Sequence, residues 1–254
     1  MKKVPKVTLR KGIYILPSLF TTGNVFCGFY AFIAVLNETY FIAAVAIVVA
    51  IIFDALDGRV ARMTNTTSAF GVQYDSLADV ISFGMAPALL AYAWVLKPFG
   101  RLGWLAAFLF LLCGALRLAR FNVTKPDTRG DEFIGLPIPA AAAVIASIVI
   151  AFEDLFETRL DPMIMVTVVY LLAFLMVSNI KYPAFKKFEF KKRVTFTRFL
   201  FVILFIYVLA TIPREALFVL SFIYALAGPG KLLISLFRGH ESLNIEEPVT
   251  KQDK

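Results

Sequence analysis

Asp54, Asp57, Asp75 and Asp79 are the residues whose type and spacing most clearly promise chemistry in this chain. They lie in or at the edge of two strongly apolar segments, and residues 41–53, which lead into them, carry no charge. A carboxylate at membrane depth is costly, and four at close range cannot all stay ionised without compensation. Either protons or cations must share the site, and the spacing favours cations. Asp54 and Asp57 stand three apart and share one helical face; Gly71, Asp75 and Asp79 repeat every four residues and form a stripe on the next helix. Gly58 and Ala61 continue the first face and leave little bulk beside the acids. Two acidic pairs on facing helices suit two hard divalent ions roughly 3.5–4 Å apart, the arrangement that clamps a transferring phosphoryl group. Carboxylate ligands admit either Mg2+ or Mn2+. Arg62, just past the acids, is placed to contact a phosphate oxygen.

The elements that must position these residues are membrane helices. The chain has 254 residues, is 59% hydrophobic and only 17% charged, and has a mean hydropathy of +0.78. That is too apolar for an ordinary soluble domain. The apolar runs predict an all-α, polytopic bundle of about eight spans, near residues 12–36, 39–56, 75–96, 102–121, 137–152, 163–180, 197–211 and 215–237. The spans form one membrane domain over 12–238, preceded by a basic interfacial segment, 1–11, and followed by a polar tail, 239–254. Of the 26 basic residues, all but Lys97, Arg101, Arg159 and Arg214 fall on one side of this topology. Both termini and the aspartates are therefore expected on the cytoplasmic side of the cell (inner) membrane. The net charge of +8 flanks spans, so it reads as topology signal and contact with anionic membrane lipids, and nucleic acid is not an expected partner. Cys27 and Cys113 fall inside spans and suit packing, not a disulfide framework. The single histidine, His240, excludes a histidine-built metal site or triad.

The acidic pattern reads Asp-x2-Asp-Gly-x2-Ala-Arg-x8-Gly-x3-Asp-x3-Asp, with Asp54, Asp57, Gly58, Ala61, Arg62, Gly71, Asp75 and Asp79 at its fixed positions. It resembles the signature of the CDP-alcohol phosphatidyltransferases. The segment around Pro17, Thr22 and Asn24 is similar to the Pro-x-x-x-Thr-x-x-Asn stretch that opens that family's core. The resemblance implies that Asp54, Asp57, Asp75 and Asp79 hold the divalent ions and that Asp79 also acts as the catalytic base. It implies that Thr22, Asn24, Gly58, Ala61, Arg62, Ser68 and Gly71 hold CDP-diacylglycerol. Ser68 is also well placed as a helix N-cap.

Three further stretches, residues 16–29, 82–88 and 117–122, resemble the membrane-integral bacterial and archaeal branch of the family whose acceptor is L-serine; residues 135–139 support them. That resemblance implies phosphatidyl transfer to the serine hydroxyl, with Arg117, Arg120 and Asn122 receiving the amino acid and a homodimeric assembly. Arg117 and Arg120, three apart, share a helical face and suit bidentate carboxylate binding. Two alternatives stand beside it. One is the same chemistry with glycerol 3-phosphate or an inositol phosphate as acceptor. The other is a cation transporter, for which the chain offers no second copy of the acidic motif.

Overall fold

The computed structural model describes residues 15–64, 68–123, 132–154, 159–183 and 211–242. Among the described residues, five helices are long and apolar enough to cross a membrane, and two shorter apolar helices accompany them. Helix α1 is Ile15–Leu36 and α2 is Tyr40–Thr64. A continuous rod follows: α3 (Ala69–Asp79), a π-helical turn (Val80–Met85), α4 (Ala86–Ala91), a second π turn (Tyr92–Leu96) and a 3-10 turn (Lys97–Phe99). Then come α5 (Arg101–Val123), α6 (Ile138–Asp154), α7 (Pro162–Val177) and α8 (Pro213–Ser242). The expected span at 197–211 lies outside the described residues apart from Thr211, as do the interfacial segment 1–11 and most of the tail. Helix α8 runs on to Ser242, past residue 239 where the tail was expected to begin.

Small side chains let the helices approach closely. Cys27, Ala31 and Ala34 of α1 and Ala43, Ile47 and Ala50 of α2 are buried at matching spacings of four and three residues. Large apolar residues such as Phe26, Phe29 and Ile33 face outward, as a lipid-facing surface requires. Gly28 lets α1 rest directly on the rod: a Cβ there would lie 2.8 Å from the Ser82 Cα. The Ser82 hydroxyl donates to the Asn24 carbonyl at 2.9 Å and locks that contact. The third span begins earlier than expected, at Ala69, because Ser68 caps the helix: its Oγ accepts from the Gly71 amide at 2.9 Å. Pro87 sits just after a widened turn in which the Ala86 amide reaches back to Ile81.

One feature departs from a purely helical architecture. Glu132–Ile134 (β1) and Lys181–Pro183 (β2) form a short antiparallel pair, with Phe133 opposite Tyr182. Gly135 closes it with φ +75°, its amide donating to the Ile180 carbonyl at 2.8 Å. A Cβ at Gly135 would lie 2.3 Å from the Met176 carbonyl oxygen, so only glycine fits. Tyr182 is fully buried and its hydroxyl donates to the Ala225 carbonyl at 3.0 Å. That carbonyl needs a donor, because Pro229, four residues on in α8, has no N–H to give it. Burial first, and neighbouring Tyr224 second, push the Tyr182 hydroxyl up to about 12, so it remains a donor across the physiological range. Cys27 and Cys113 are buried free thiols.

Candidate metal and phosphate site

Helix α2 brings Asp54 and Asp57 toward its C-terminal end, and α3 brings Asp75 and Asp79 into the same region from the adjoining rod. Asp54, Asp57 and Asp75 each offer a carboxylate oxygen, and these oxygens lie within 4.8 Å of one another. Asp79 stands outside that group of three but is buried next to it, and Asp54, Asp75 and Asp57 all act on it electrostatically. The Asp75 Oδ1 and Asp79 Oδ1 atoms are buried with no hydrogen-bond partner. Buried polar atoms are nearly always paired, so orphaned carboxylate oxygens among crowded acids fit a cation. The residues present therefore suit a divalent metal.

Helix α1 supplies a residue that sequence reasoning missed. Thr21, 5% exposed, donates its hydroxyl to Asp57 Oδ2 at 2.9 Å. Thr22 does something else: its hydroxyl donates to the Ser18 carbonyl at 2.7 Å and meets the Tyr74 hydroxyl at 3.0 Å. A signal for Thr21 was present. Counted from Pro17, the Pro-x-x-x-Thr-x-x-Asn spacing falls on Thr21 and Asn24, which share a helical face that Thr22 leaves by about 100°. Asn24 is fully buried and neither its Oδ1 nor its Nδ2 has a partner, so its side chain retains its full capacity to bind a ligand.

The remaining expected positions divide. Gly58, Ala61 and Gly71 are half-buried beside the acids. Ser68 is exposed and engaged as the α3 cap. Arg62 lies on α2, its side chain outside the described residues. Arg117 and Arg120 share a helix but not an environment. Arg117 is buried, its charge acts on Asp79, and its Nε has no hydrogen-bond partner. Arg120 is exposed and donates to Asn179 Oδ1 at 2.6 Å, tying α5 to the segment after α7. Asn122 donates to Ser76 Oγ at 2.9 Å, one residue beyond Asp75. The structure thus brings Arg117 to the carboxylates.

The chain belongs to the CDP-alcohol phosphatidyltransferase family, whose model matches residues 14–178. It is an enzyme of the membrane, built on helices long enough to span it. Among its relatives, a CDP-diacylglycerol–serine O-phosphatidyltransferase of Helicobacter pylori is 41% identical over 85% of this chain and 90% of its own length. One of the same description from Methanocaldococcus jannaschii is 40% identical over 76% of this chain and 83% of its own. The archaetidylserine synthase of Methanothermobacter thermautotrophicus is 38% identical over 66% of this chain and 69% of its own.

Proposed function

We propose that this enzyme transfers the phosphatidyl group of CDP-diacylglycerol to the hydroxyl of L-serine, giving phosphatidylserine and CMP. The observation that carries the reading is the convergence of Asp54, Asp57 and Asp75, with orphaned oxygens on Asp75 and Asp79, in a chain of this family. Asp54, Asp57 and Asp75 would hold Mg2+ or Mn2+, in two copies with Asp79 as the fourth carboxylate. Bound there, the metal supplies charge neutralisation for the pyrophosphate and for departing CMP.

The chain's own side chains supply the rest. Thr21 orients the Asp57 carboxylate. Asn24, with unmet donor and acceptor atoms, is the α1 contact for the nucleotide, and Gly58, Ala61 and Gly71 leave it room. Arg62 and Ser68 bind phosphate oxygens. Arg117 takes the serine carboxylate and turns the hydroxyl toward Asp79. Asp79 then accepts the hydroxyl proton as the serine oxygen bonds to the phosphorus next to diacylglycerol and the bond from that phosphorus to the CMP oxygen breaks. One buried arginine, Arg117, suits a singly charged carboxylate better than the dianion of a phosphorylated acceptor. The acyl chains stay among the helices in lipid. The site opens to the cytoplasm, where serine and nucleotide are available, and the enzyme works in the inner membrane as a homodimer.

The test is CMP release by the full chain in detergent, with CDP-diacylglycerol, Mg2+ or Mn2+, and L-serine, glycerol 3-phosphate or an inositol phosphate as sole acceptor. Release that requires serine supports the assignment. Release only with a phosphorylated acceptor overturns the serine half and keeps the reaction type.

A further inference from the structure

At the opposite end of the bundle from the aspartates lies a second polar pocket. Tyr40 opens α2 and Asp54 stands fourteen residues on, about 21 Å along the helix. The pocket has a volume of about 330 Å³ and is lined by Glu38, Tyr40, Trp94, Lys97 and Arg159 among others. That is the lower end of the size range of ligand sites.

Two of its walls are built. Trp94 is buried, its indole N–H donates to Glu153, and it packs edge-on against Phe152. Its carbonyl oxygen, in the second π turn, accepts from Arg159 Nη1 at 3.1 Å. The Arg159 guanidinium carbon lies 5.3 Å from the centre of the Tyr40 ring. One carbonyl and one ring thus hold Arg159 in place and leave most of its five N–H donors for a ligand. Glu38 sits in the turn between α1 and α2 with φ +58°, the one non-glycine residue with positive φ among those described. The αL turn ends α1: the Glu38 amide donates to the Val35 carbonyl at 3.1 Å and the Thr39 amide to the Ala34 carbonyl at 2.9 Å, which fixes Glu38 at the rim of the pocket. Glu38, Lys97 and Arg159 line one pocket yet form no ion pair with one another. Charges of both signs, set apart and not self-neutralised, match a ligand that carries both signs itself.

We propose that this pocket binds the headgroup of an aminophospholipid, with Lys97 and Arg159 on the phosphate, Glu38 on the ammonium and Tyr40 beneath. The shared chemistry is a phosphate and an ammonium a few bonds apart. A lipid is the source because the pocket lies at the end of membrane-spanning helices, where headgroups are the local phosphates.

The experiment is native mass spectrometry of the full chain released from micelles loaded with phosphatidylethanolamine or phosphatidylglycerol. The intact protein is expected to retain one phosphatidylethanolamine in preference to phosphatidylglycerol. Lys97→Gln and Arg159→Gln, both at exposed positions, each lower that retention about two- to fivefold. Glu38→Gln removes the preference for the amine headgroup and keeps the binding. Lys97 is exposed and outside the packed core, so its variant folds and keeps the test decisive even if loss of the Arg159 contacts destabilises the chain. Equal retention by Lys97→Gln and the parent, or no preference between the two lipids, overturns the site. Displacement of the lipid by soluble phosphoethanolamine overturns the lipid source.

Discussion

Replacing Thr21 with valine removes one hydroxyl and keeps the side-chain volume. In the structure that hydroxyl donates to Asp57 Oδ2 at 2.9 Å, from a residue only 5% exposed. The bond joins α1 to α2 across 36 positions of sequence. A hydrogen bond to a charged group contributes about 1.5–3 kcal/mol, and its loss leaves the Asp57 carboxylate free to rotate away from Asp54 and Asp75. At about 1.4 kcal/mol per decade, that is a loss of roughly 10–100-fold in metal affinity, the range also seen when groups that orient metal ligands are removed. The assay is Mn2+ binding to the full chain in detergent, followed by the decrease in free-ion EPR signal, with half-saturation of CMP release by Mg2+ as a second readout. Thr21→Ser should stay within about threefold of the parent, because it keeps the donor. Thr22→Val should leave metal affinity unchanged, since Thr22 faces Ser18 and Tyr74. A folded Thr21→Val protein that binds Mn2+ as tightly as the parent would refute the role given to this bond.

Three other outcomes follow from the same geometry. Asp79→Asn should lower turnover by about 10²–10⁴-fold, the usual contribution of a general base, while Mn2+ binding through the other three carboxylates persists; near-normal turnover would remove Asp79 from the chemistry. Gly135→Ala should unfold the chain or lower its thermal midpoint sharply, because a Cβ meets the Met176 carbonyl oxygen at 2.3 Å on top of a left-handed backbone cost of about 1–2 kcal/mol. Tyr182→Phe should destabilise by about 1–3 kcal/mol by orphaning the Ala225 carbonyl. Adding Pro229→Ala should recover much of that loss, since the new amide supplies the missing donor; additive effects in a denaturation cycle would show that the two are not coupled.

The helices were legible because each rests on local information. An apolar run long enough to cross a bilayer must satisfy its backbone internally, and a helix is the solution available to a single segment. The acidic site was legible for a similar reason: spacings of three and four residues place Asp54 with Asp57 and Asp75 with Asp79 whatever surrounds them. Burial of Cys27 and Cys113 follows from their place inside apolar spans.

What lay beyond local information was which side chains meet across helices. Thr21 and Thr22 are equivalent as composition, and the packing of α1 on α2 gives Asp57 to Thr21. Arg117 and Arg120 share a predicted face, yet Arg120 reaches Asn179, some sixty residues away in sequence, while Arg117 turns inward to Asp79. The strand pair of Glu132–Ile134 with Lys181–Pro183 joins segments too short to signal a sheet, and Gly135 and Tyr182 acquire their roles only once α7 and α8 are beside them. Spacing within one segment is enough to set the helices and the four carboxylates. The partners of those carboxylates and the closing of the bundle by the strand pair come from contacts between distant residues, which depend on how whole helices pack.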